Sequence, residues 1–116
     1  MDLKIDIKEQ GNNAVIINLA GEMDIFTSSK FSEIVDVLLR HGKNKLIANL
    51  ELVNFIDSAG LGSLEVGLEQ SRKNQGDLRL IYSSSRENKL LKLSGYKEKF
   101  IIYQSEEDAL KDNLVQ

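Results

Sequence analysis

Residues 46–64 read LIANLELVNFIDSAGLGSL, and the spacing of their apolar side chains changes along the stretch. Every second residue from Leu46 to Leu52 is leucine or alanine, which is the period of a β-strand. After Ser58 the leucines recur at positions 61, 64 and 68, which is the spacing of an amphipathic helix. The stretch therefore predicts a strand that passes into a helix through a loop at residues 55–60.

The chain on both sides of this stretch continues to alternate between strands and helices. Apolar alternation and short apolar runs predict the other strands at residues 3–8, 15–19, 77–82 and 100–103. Helical spacing predicts three more helices: one with its apolar stripe at residues 31–39, one from a capping box of Ser84 and Glu87 to Gly95, and one from Ser105. The short turn at residues 10–13 makes the first two strands an antiparallel hairpin, and the helical crossovers make the later strands parallel. We therefore expect an α/β fold of the order β-β-α-β-α-β-α-β-α, with a mixed sheet and helices packed on it.

Length and composition limit what such a fold can do. The 116 residues, 41% hydrophobic and 28% charged, predict a single domain over residues 1–116, with an ordered core at about 3–112 and frayed residues 113–116. The chain has no cysteine, and its net charge of -3 includes no basic block, so we expect neither a thiol site nor nucleic-acid binding. No apolar run approaches the length of a membrane span and no signal peptide is visible, so we expect a cytoplasmic protein without a membrane partner.

Loops that leave the carboxyl ends of parallel strands collect at one edge of a sheet, where binding sites are usually found. The sequence places three loops there, at residues 21–27, 55–60 and 83–87. Ser58 lies in the middle loop at the start of its helix, where either Ser58 or Asp57 could be the N-cap. The plainest role for Ser58 is therefore a structural one.

Phosphorylation is the second role that this position suggests for Ser58. A phosphate there would face the free backbone N–H groups of the helix N-terminus. Glu22, Asp24 and Asp57 would add to the negative charge around it. Gly60 and Gly62, close to Ser58, would serve either tight packing or access of a partner to the backbone.

Two enzymatic alternatives fit the sequence less well. A serine hydrolase of the nucleophile-elbow type needs glycine two residues before the serine, where this chain has Ile56, and its only histidine, His41, is expected at the far end of a helix. A phosphoaspartate receiver centred on Asp57 would need an acidic cluster for Mg²⁺, for which Glu22 and Asp24 are the only candidates. We therefore expect no catalytic residue, no metal and no cofactor.

Residues 54–64, NFIDSAGLGSL, closely resemble the signature of anti-sigma factor antagonists, which are members of the STAS domain group. That signature has an apolar residue, Asp, Ser, a small residue, Gly and Leu at a strand-to-helix turn. Gly21-Glu22-Met23-Asp24 with Thr27 is similar to the family's Gly-Glu/Asp-Leu-Asp-x-x-Thr loop. Met23 stands where leucine is usual, and Ala59 where serine is frequent. The resemblance implies that the mixed sheet is a STAS domain.

The resemblance also implies a partner-switching role. An unphosphorylated antagonist of this family binds an anti-sigma factor that is also a serine kinase, and so releases a sigma factor for transcription. The kinase uses ATP to phosphorylate the serine that matches Ser58, which ends binding, and a PP2C-type phosphatase reverses the modification. The implied partner-binding residues are Glu22, Asp24, Thr27, Asp57, Ser58, Ala59, Gly60, Leu61 and Gly62. The alternative is a STAS scaffold or transport-complex subunit that binds protein partners without serine phosphorylation.

Overall fold

The computed structural model describes residues 2–112, so the fraying expected at residues 113–116 lies outside the described part. Within these residues an initial hairpin is followed by strands and helices in the order α-β-α-β-α-α-β-α, which confirms the predicted α/β class. The strands are β1 (Leu3–Glu9), β2 (Ala14–Met23), β3 (Lys45–Ile56), β4 (Asp77–Ile81) and β5 (Ile102–Tyr103). The helices are α1 (Ser28–Arg40), α2 (Ser58–Lys73), α3 (Lys89–Ser94), α4 (Tyr96–Lys99) and α5 (Glu106–Lys111).

The sheet has the strand order β1-β2-β3-β4-β5. β1 pairs antiparallel with β2, and each later neighbour pairs in parallel. Asn12 and Asn13, both with φ of 61°, form the hairpin turn, because asparagine tolerates the left-handed region that such turns require. The mixed sheet is therefore the predicted one, with β1 at one edge.

The main core lies between the sheet and helices α1 and α2. Alternate residues of β2 and β3, such as Val15 and Leu46, meet Phe31 of α1 and Leu64 of α2 there. The opposite face of the sheet is covered by α5 through a smaller cluster that includes Ile16, Ile47 and Ala109. In the part of the chain that the structure describes, no helix has both the length and the apolar character needed to cross a bilayer.

Two strands run further than predicted. β2 and β3 remain paired as far as Met23 and Ile56, with register shifts after Asn18 and Gly21. The first three residues of the expected 21–27 loop are therefore strand, and the true loop begins at Asp24. Period-two alternation fails at such shifts, because an extra residue moves the following side chains to the other face.

The prediction of one helix from Ser84 to Gly95 is wrong at its start. A short 3₁₀ turn and a separate helix, α3, take its place. Residues Ser84–Arg86 form a single 3₁₀ turn, and Asn88 caps α3 by accepting a hydrogen bond from the Leu91 N–H at 2.8 Å. Gly95, at φ of 73°, ends α3 as predicted, and α4 follows directly. Asparagine at residue 88 was the stronger cap because its side chain reaches the N–H group three residues on.

β3 extends well past the end of β4. β4 pairs with β3 only as far as Asn49, which leaves residues 50–56, here called the open half of β3, without a strand on that side. Arg86 occupies this edge: its guanidinium donates to the carbonyl oxygens of Leu50 at 3.3 Å, Val53 at 2.7 Å and also Glu51. One side chain thus satisfies backbone acceptors that a neighbouring strand would otherwise bind.

Candidate functional site

The three loops expected at one edge of the sheet do lie together there. They follow β2, β3 and β4, which are parallel neighbours, so their carboxyl ends share an edge. Ser58 opens α2 in the middle of the three. We refer to this edge as the Ser58 edge.

Asp57, rather than Ser58, is the N-cap of α2. Its backbone is extended, with φ of -99° and ψ of -174°, and its Oδ1 accepts a hydrogen bond from the Gly60 N–H at 2.9 Å. Ser58 is therefore the first helical residue; it is exposed, and within residues 2–112 its hydroxyl has no hydrogen-bond partner. The structural role that sequence left open thus falls to Asp57, and the Ser58 hydroxyl is free.

The second oxygen of Asp57 ties two loops together. Asp57 Oδ2 accepts a hydrogen bond from the Ile25 N–H at 3.1 Å, and the Asp57 N–H donates to the Met23 carbonyl at 3.1 Å. The loop between β2 and α1 is therefore fixed to the start of α2 through one carboxylate. Charged acceptors of backbone N–H groups form strong bonds, which favours a single arrangement.

Asp24 and Thr27 hold the first loop from within. Both are buried, with 2% and 4% of their surface exposed. Asp24 Oδ1 accepts from the N–H groups of Phe26 at 2.9 Å and Thr27 at 3.0 Å, and the Thr27 hydroxyl donates to the Glu22 carbonyl at 2.6 Å. Glu22 and Asp24 each have one buried carboxylate oxygen that finds no hydrogen-bond partner among residues 2–112. The buried side chains of Asp24 and Thr27 fix the conformation of the loop and contribute little to its exposed surface.

The outer surface of this edge is apolar, which the sequence did not indicate. Ile25 and Phe26 are 68% and 81% exposed at the tip of the first loop, and Phe55 is 48% exposed at the end of β3. We call these three side chains the apolar rim. For Ile25 and Phe26 the sequence signal was a pair of large apolar residues between Asp24 and Thr27 in a loop. Exposed apolar residues grouped around one site are typical of protein-binding surfaces.

The glycines after Ser58 have different surroundings. A Cβ on Gly60 would lie 2.3 Å from the Met23 carbonyl oxygen, so α2 can approach β2 only if this residue is glycine. A Cβ on Gly62 would meet no atom within 4 Å. Leu61 is buried in the core, and Ala59 is half-buried. Gly62 thus leaves open the helix surface one turn beyond Ser58.

The third loop is fixed by tyrosines. The Tyr82 hydroxyl donates to the Arg86 carbonyl at 2.7 Å, and the Tyr96 hydroxyl donates to Glu87 Oε2 at 2.6 Å. The Tyr96 bond, together with Lys97, holds the pKa of Glu87 below its usual value. Burial, and then the Glu87 carboxylate, raise the pKa of Tyr96. The Glu87 carboxylate is therefore already bound by Tyr96 and Lys97.

Neither enzymatic alternative finds its partners at this edge. His41 follows the last residue of α1, at the end opposite to the Ser58 edge, and its Nδ1 lies 2.8 Å from the Val37 carbonyl. Both oxygens of Asp57 accept backbone N–H groups, and residues 2–112 contain no group of three acidic, histidine or cysteine side chains that could hold a metal ion. The Asp57 carboxylate is therefore already engaged in fixing the two loops.

The sequence of this chain is similar to those of known proteins. A model of the STAS domain matches residues 4–109. An anti-sigma-B factor antagonist of Listeria monocytogenes is 31% identical over 97 residues, which are 82% of this chain and 83% of the relative. An anti-sigma-B factor antagonist of Staphylococcus aureus is 28% identical over 98 residues, 84% of this chain and 90% of the relative.

Solved structures share the architecture. The anti-sigma factor antagonist SpoIIAA in its unphosphorylated form superposes with a TM-score of 0.75 at 19% identity, covering 92% of this chain and 94% of that one. The phosphorylated form of SpoIIAA, a Bacillus protein, superposes with a TM-score of 0.69 at 22% identity, covering 90% and 95% of the two chains. At these identities the likeness establishes the fold alone.

Proposed function

The chain belongs to the STAS domain family, and on that basis we propose that it is an anti-sigma factor antagonist controlled by phosphorylation of Ser58. Without phosphate, its Ser58 edge binds an anti-sigma factor with serine kinase activity, and the bound sigma factor is released. The protein acts by binding and is a substrate of the kinase. A PP2C-type phosphatase in the same cytoplasmic compartment restores the binding form.

The observation that carries this proposal is the exposed, unpartnered hydroxyl of Ser58 beside the apolar rim. A kinase needs an accessible hydroxyl. A docking surface needs exposed apolar area that becomes buried from water when the partner binds. Ile25 is bonded through its N–H to Asp57, the residue before Ser58, so acceptor and rim are adjacent. Of the implied binding residues, Ser58 and Gly62 contact the partner directly, whereas Asp24, Thr27 and Asp57 hold the loops in place.

The start of α2 can hold a phosphate without a change of fold. Asp57 already binds the N–H group of Gly60 through its side chain and that of Leu61 through its carbonyl. The N–H groups of Ser58 and Ala59 have no acceptor within residues 2–112, so they remain for the phosphate. The added charge of about -1.5 to -2 would lie beside Asp57 and the apolar rim, where a docked partner would have to desolvate it. Binding is lost through charge and bulk.

Phosphorylation by an anti-sigma kinase tests this proposal. The protein is incubated with ATP and each anti-sigma kinase encoded by the same genome, and the phosphate is mapped by mass spectrometry. We expect one phosphate on Ser58, none on the Ser58→Ala variant, and normal phosphorylation of a control, Ser84→Ala, which alters an exposed serine of the neighbouring loop. A phosphate elsewhere, with Ser58→Ala still a full substrate, would contradict the proposal.

Binding to the same kinase gives a second readout. Ser58→Asp should weaken the complex while the protein remains folded, because aspartate carries part of the charge of a phosphate. Binding of a partner without any phosphorylation, unchanged in Ser58→Asp, would instead support the scaffold or transport-complex alternative.

A further inference from the structure

β1 is the edge strand at the opposite end of the sheet from β5, and within residues 2–112 no other strand pairs with its outer side. The outer edge is identified by the inner hydrogen bonds. The Asp2 carbonyl accepts from the Glu22 N–H at 3.0 Å, and the Gln10 N–H donates to the Ala14 carbonyl at 2.8 Å. The backbone N–H and C=O groups of the even-numbered residues of β1 therefore point toward β2. Those of the odd-numbered residues point outward, namely those of Leu3, Ile5, Ile7 and Glu9.

From this edge we infer that a second copy of the chain pairs with the first, β1 against β1, in an antiparallel arrangement centred on Ile5. Residues whose numbers sum to ten then face each other: Ile5 faces Ile5, and Leu3 faces Ile7. All of these residues direct backbone groups outward, so each of these pairs can exchange two hydrogen bonds. The two sheets become one continuous sheet.

Charge selects this register over its neighbours. Lys4 and Asp6 are exposed, and in this register Lys4 of each copy faces Asp6 of the other. A shift by two residues in one direction places Lys4 opposite Lys4, and a shift in the other direction places Asp6 opposite Asp6. Opposite charges in facing positions stabilise a strand pair and like charges destabilise it. Lys4 and Asp6 also occupy the closer, non-hydrogen-bonded positions, where side chains interact most strongly.

The apolar face of β1 is complementary to itself in the same register. Leu3 and Ile5 line a groove between β1 and α1, together with Ile34, Lys30 and Glu33. Ile7 is 44% exposed on that side of the sheet. Since Ile7 of one copy faces Leu3 of the other, its side chain lies over the partner's groove. Ile7 of each copy thus occupies the groove of the other copy, and the contact occurs twice in the dimer.

The contacts that Asp2 and Lys30 make at the Leu3 end of β1 have to be replaced. The Leu3 N–H is bound by Asp2 Oδ1 at 2.9 Å, and Lys30 Nζ lies 3.3 Å from the Leu3 carbonyl. Lys30 and Asp2 also form an ion pair whose side chains are 52% and 79% exposed. Exposed ion pairs contribute little to stability, so a second strand can replace the Lys30–Asp2 pair at small cost.

Sedimentation measurements over micromolar to millimolar concentrations test the pairing. The mass should rise with concentration from 13.0 kDa toward twice that value. Lys4→Glu and Asp6→Lys should each weaken the dimer about tenfold or more, because each change makes two facing pairs repulsive. The double variant Lys4→Asp with Asp6→Lys should restore it, whereas the control Lys89→Glu, an exposed residue of α3, should not alter it.

A mass of one chain at every concentration would overturn the inference. A dimer that forms equally well in both single variants would also overturn it, since it would use another surface. Circular dichroism of each variant verifies that a monomeric result reflects lost pairing in a folded chain.

Discussion

Gly60 and Gly62 lie in the same helical turn and have opposite effects on stability. Gly60→Ala should destabilise the fold by about 1–3 kcal/mol, because its Cβ would lie 2.3 Å from the Met23 carbonyl oxygen. Gly62→Ala should stabilise it by up to about 1 kcal/mol, since alanine favours helix and the site is empty to 4 Å. Urea unfolding of both variants measures the difference.

The same pair of variants separates folding from binding. A methyl group on Gly62 would stand on the surface beside Ser58, so Gly62→Ala should bind the anti-sigma partner less tightly although it is more stable. If Gly62→Ala bound as well as the unchanged protein, this glycine would have no role at the interface.

Phe26 shows the converse case, an apolar residue that the fold does not use. With 81% of its surface exposed, its replacement by alanine should change the free energy of unfolding by no more than about 0.5 kcal/mol. At an interface, however, large aromatic side chains contribute most of the binding energy. Phe26→Ala should therefore reduce affinity for the anti-sigma partner about tenfold or more in calorimetric titrations.

Val37 provides the matched control for Phe26. It is 41% exposed on α1, outside the Ser58 edge, so Val37→Ala should leave the affinity unchanged. Equal affinities for the Phe26 and Val37 variants would exclude the apolar rim from the interface.

At the scale of elements, Asp57 performs two tasks with two oxygens. Asp57→Ala should lower the free energy of unfolding by about 1–2 kcal/mol through loss of the α2 cap. Asp57→Asn keeps a carbonyl oxygen for the Gly60 N–H, but its amide nitrogen cannot accept from the Ile25 N–H. The asparagine variant should therefore be nearly as stable as the unchanged protein and yet bind its partner more weakly.

Urea unfolding and partner titration of the two Asp57 variants distinguish these tasks. Full affinity in Asp57→Asn would show that the tie between the loops is not needed for binding. A large loss of stability in Asp57→Asn would show that the cap depends on the charge as well as on the oxygen.

For the molecule as a whole, sequence predicted the order of elements because each strand and long helix carries its own apolar period. It located Ser58 and the loops around it for the same reason. It could not choose between Asp57 and Ser58 as the cap, since both are good cap residues in adjacent positions. It also missed the apolar rim, because an apolar residue in a predicted loop, such as Phe55, is buried or exposed according to the elements that cover it.

The register shifts explain why strand ends were predicted least well. The pairing of β2 with β3 skips residues after Asn18 and Gly21, and no local pattern marks the skip. The 3₁₀ turn at Ser84–Arg86, where a helix was expected to begin, has a similar origin, since tertiary contacts such as the bond from Arg86 to the Val53 carbonyl surround it. Long-range contacts decide these features, and a single sequence does not display them.

Arg86 has a consequence for the behaviour of the chain at high concentration. The open half of β3, LELVNFI, has one charged residue, no proline and a high β-propensity, which together are the composition of segments that form amyloid-like aggregates. An uncovered strand edge of this composition would be a template for other chains. By binding the carbonyl groups of Leu50, Glu51 and Val53, Arg86 places a positive charge along that edge and blocks the template. A single side chain thus covers the open edge of the strand that leads into α2 and Ser58.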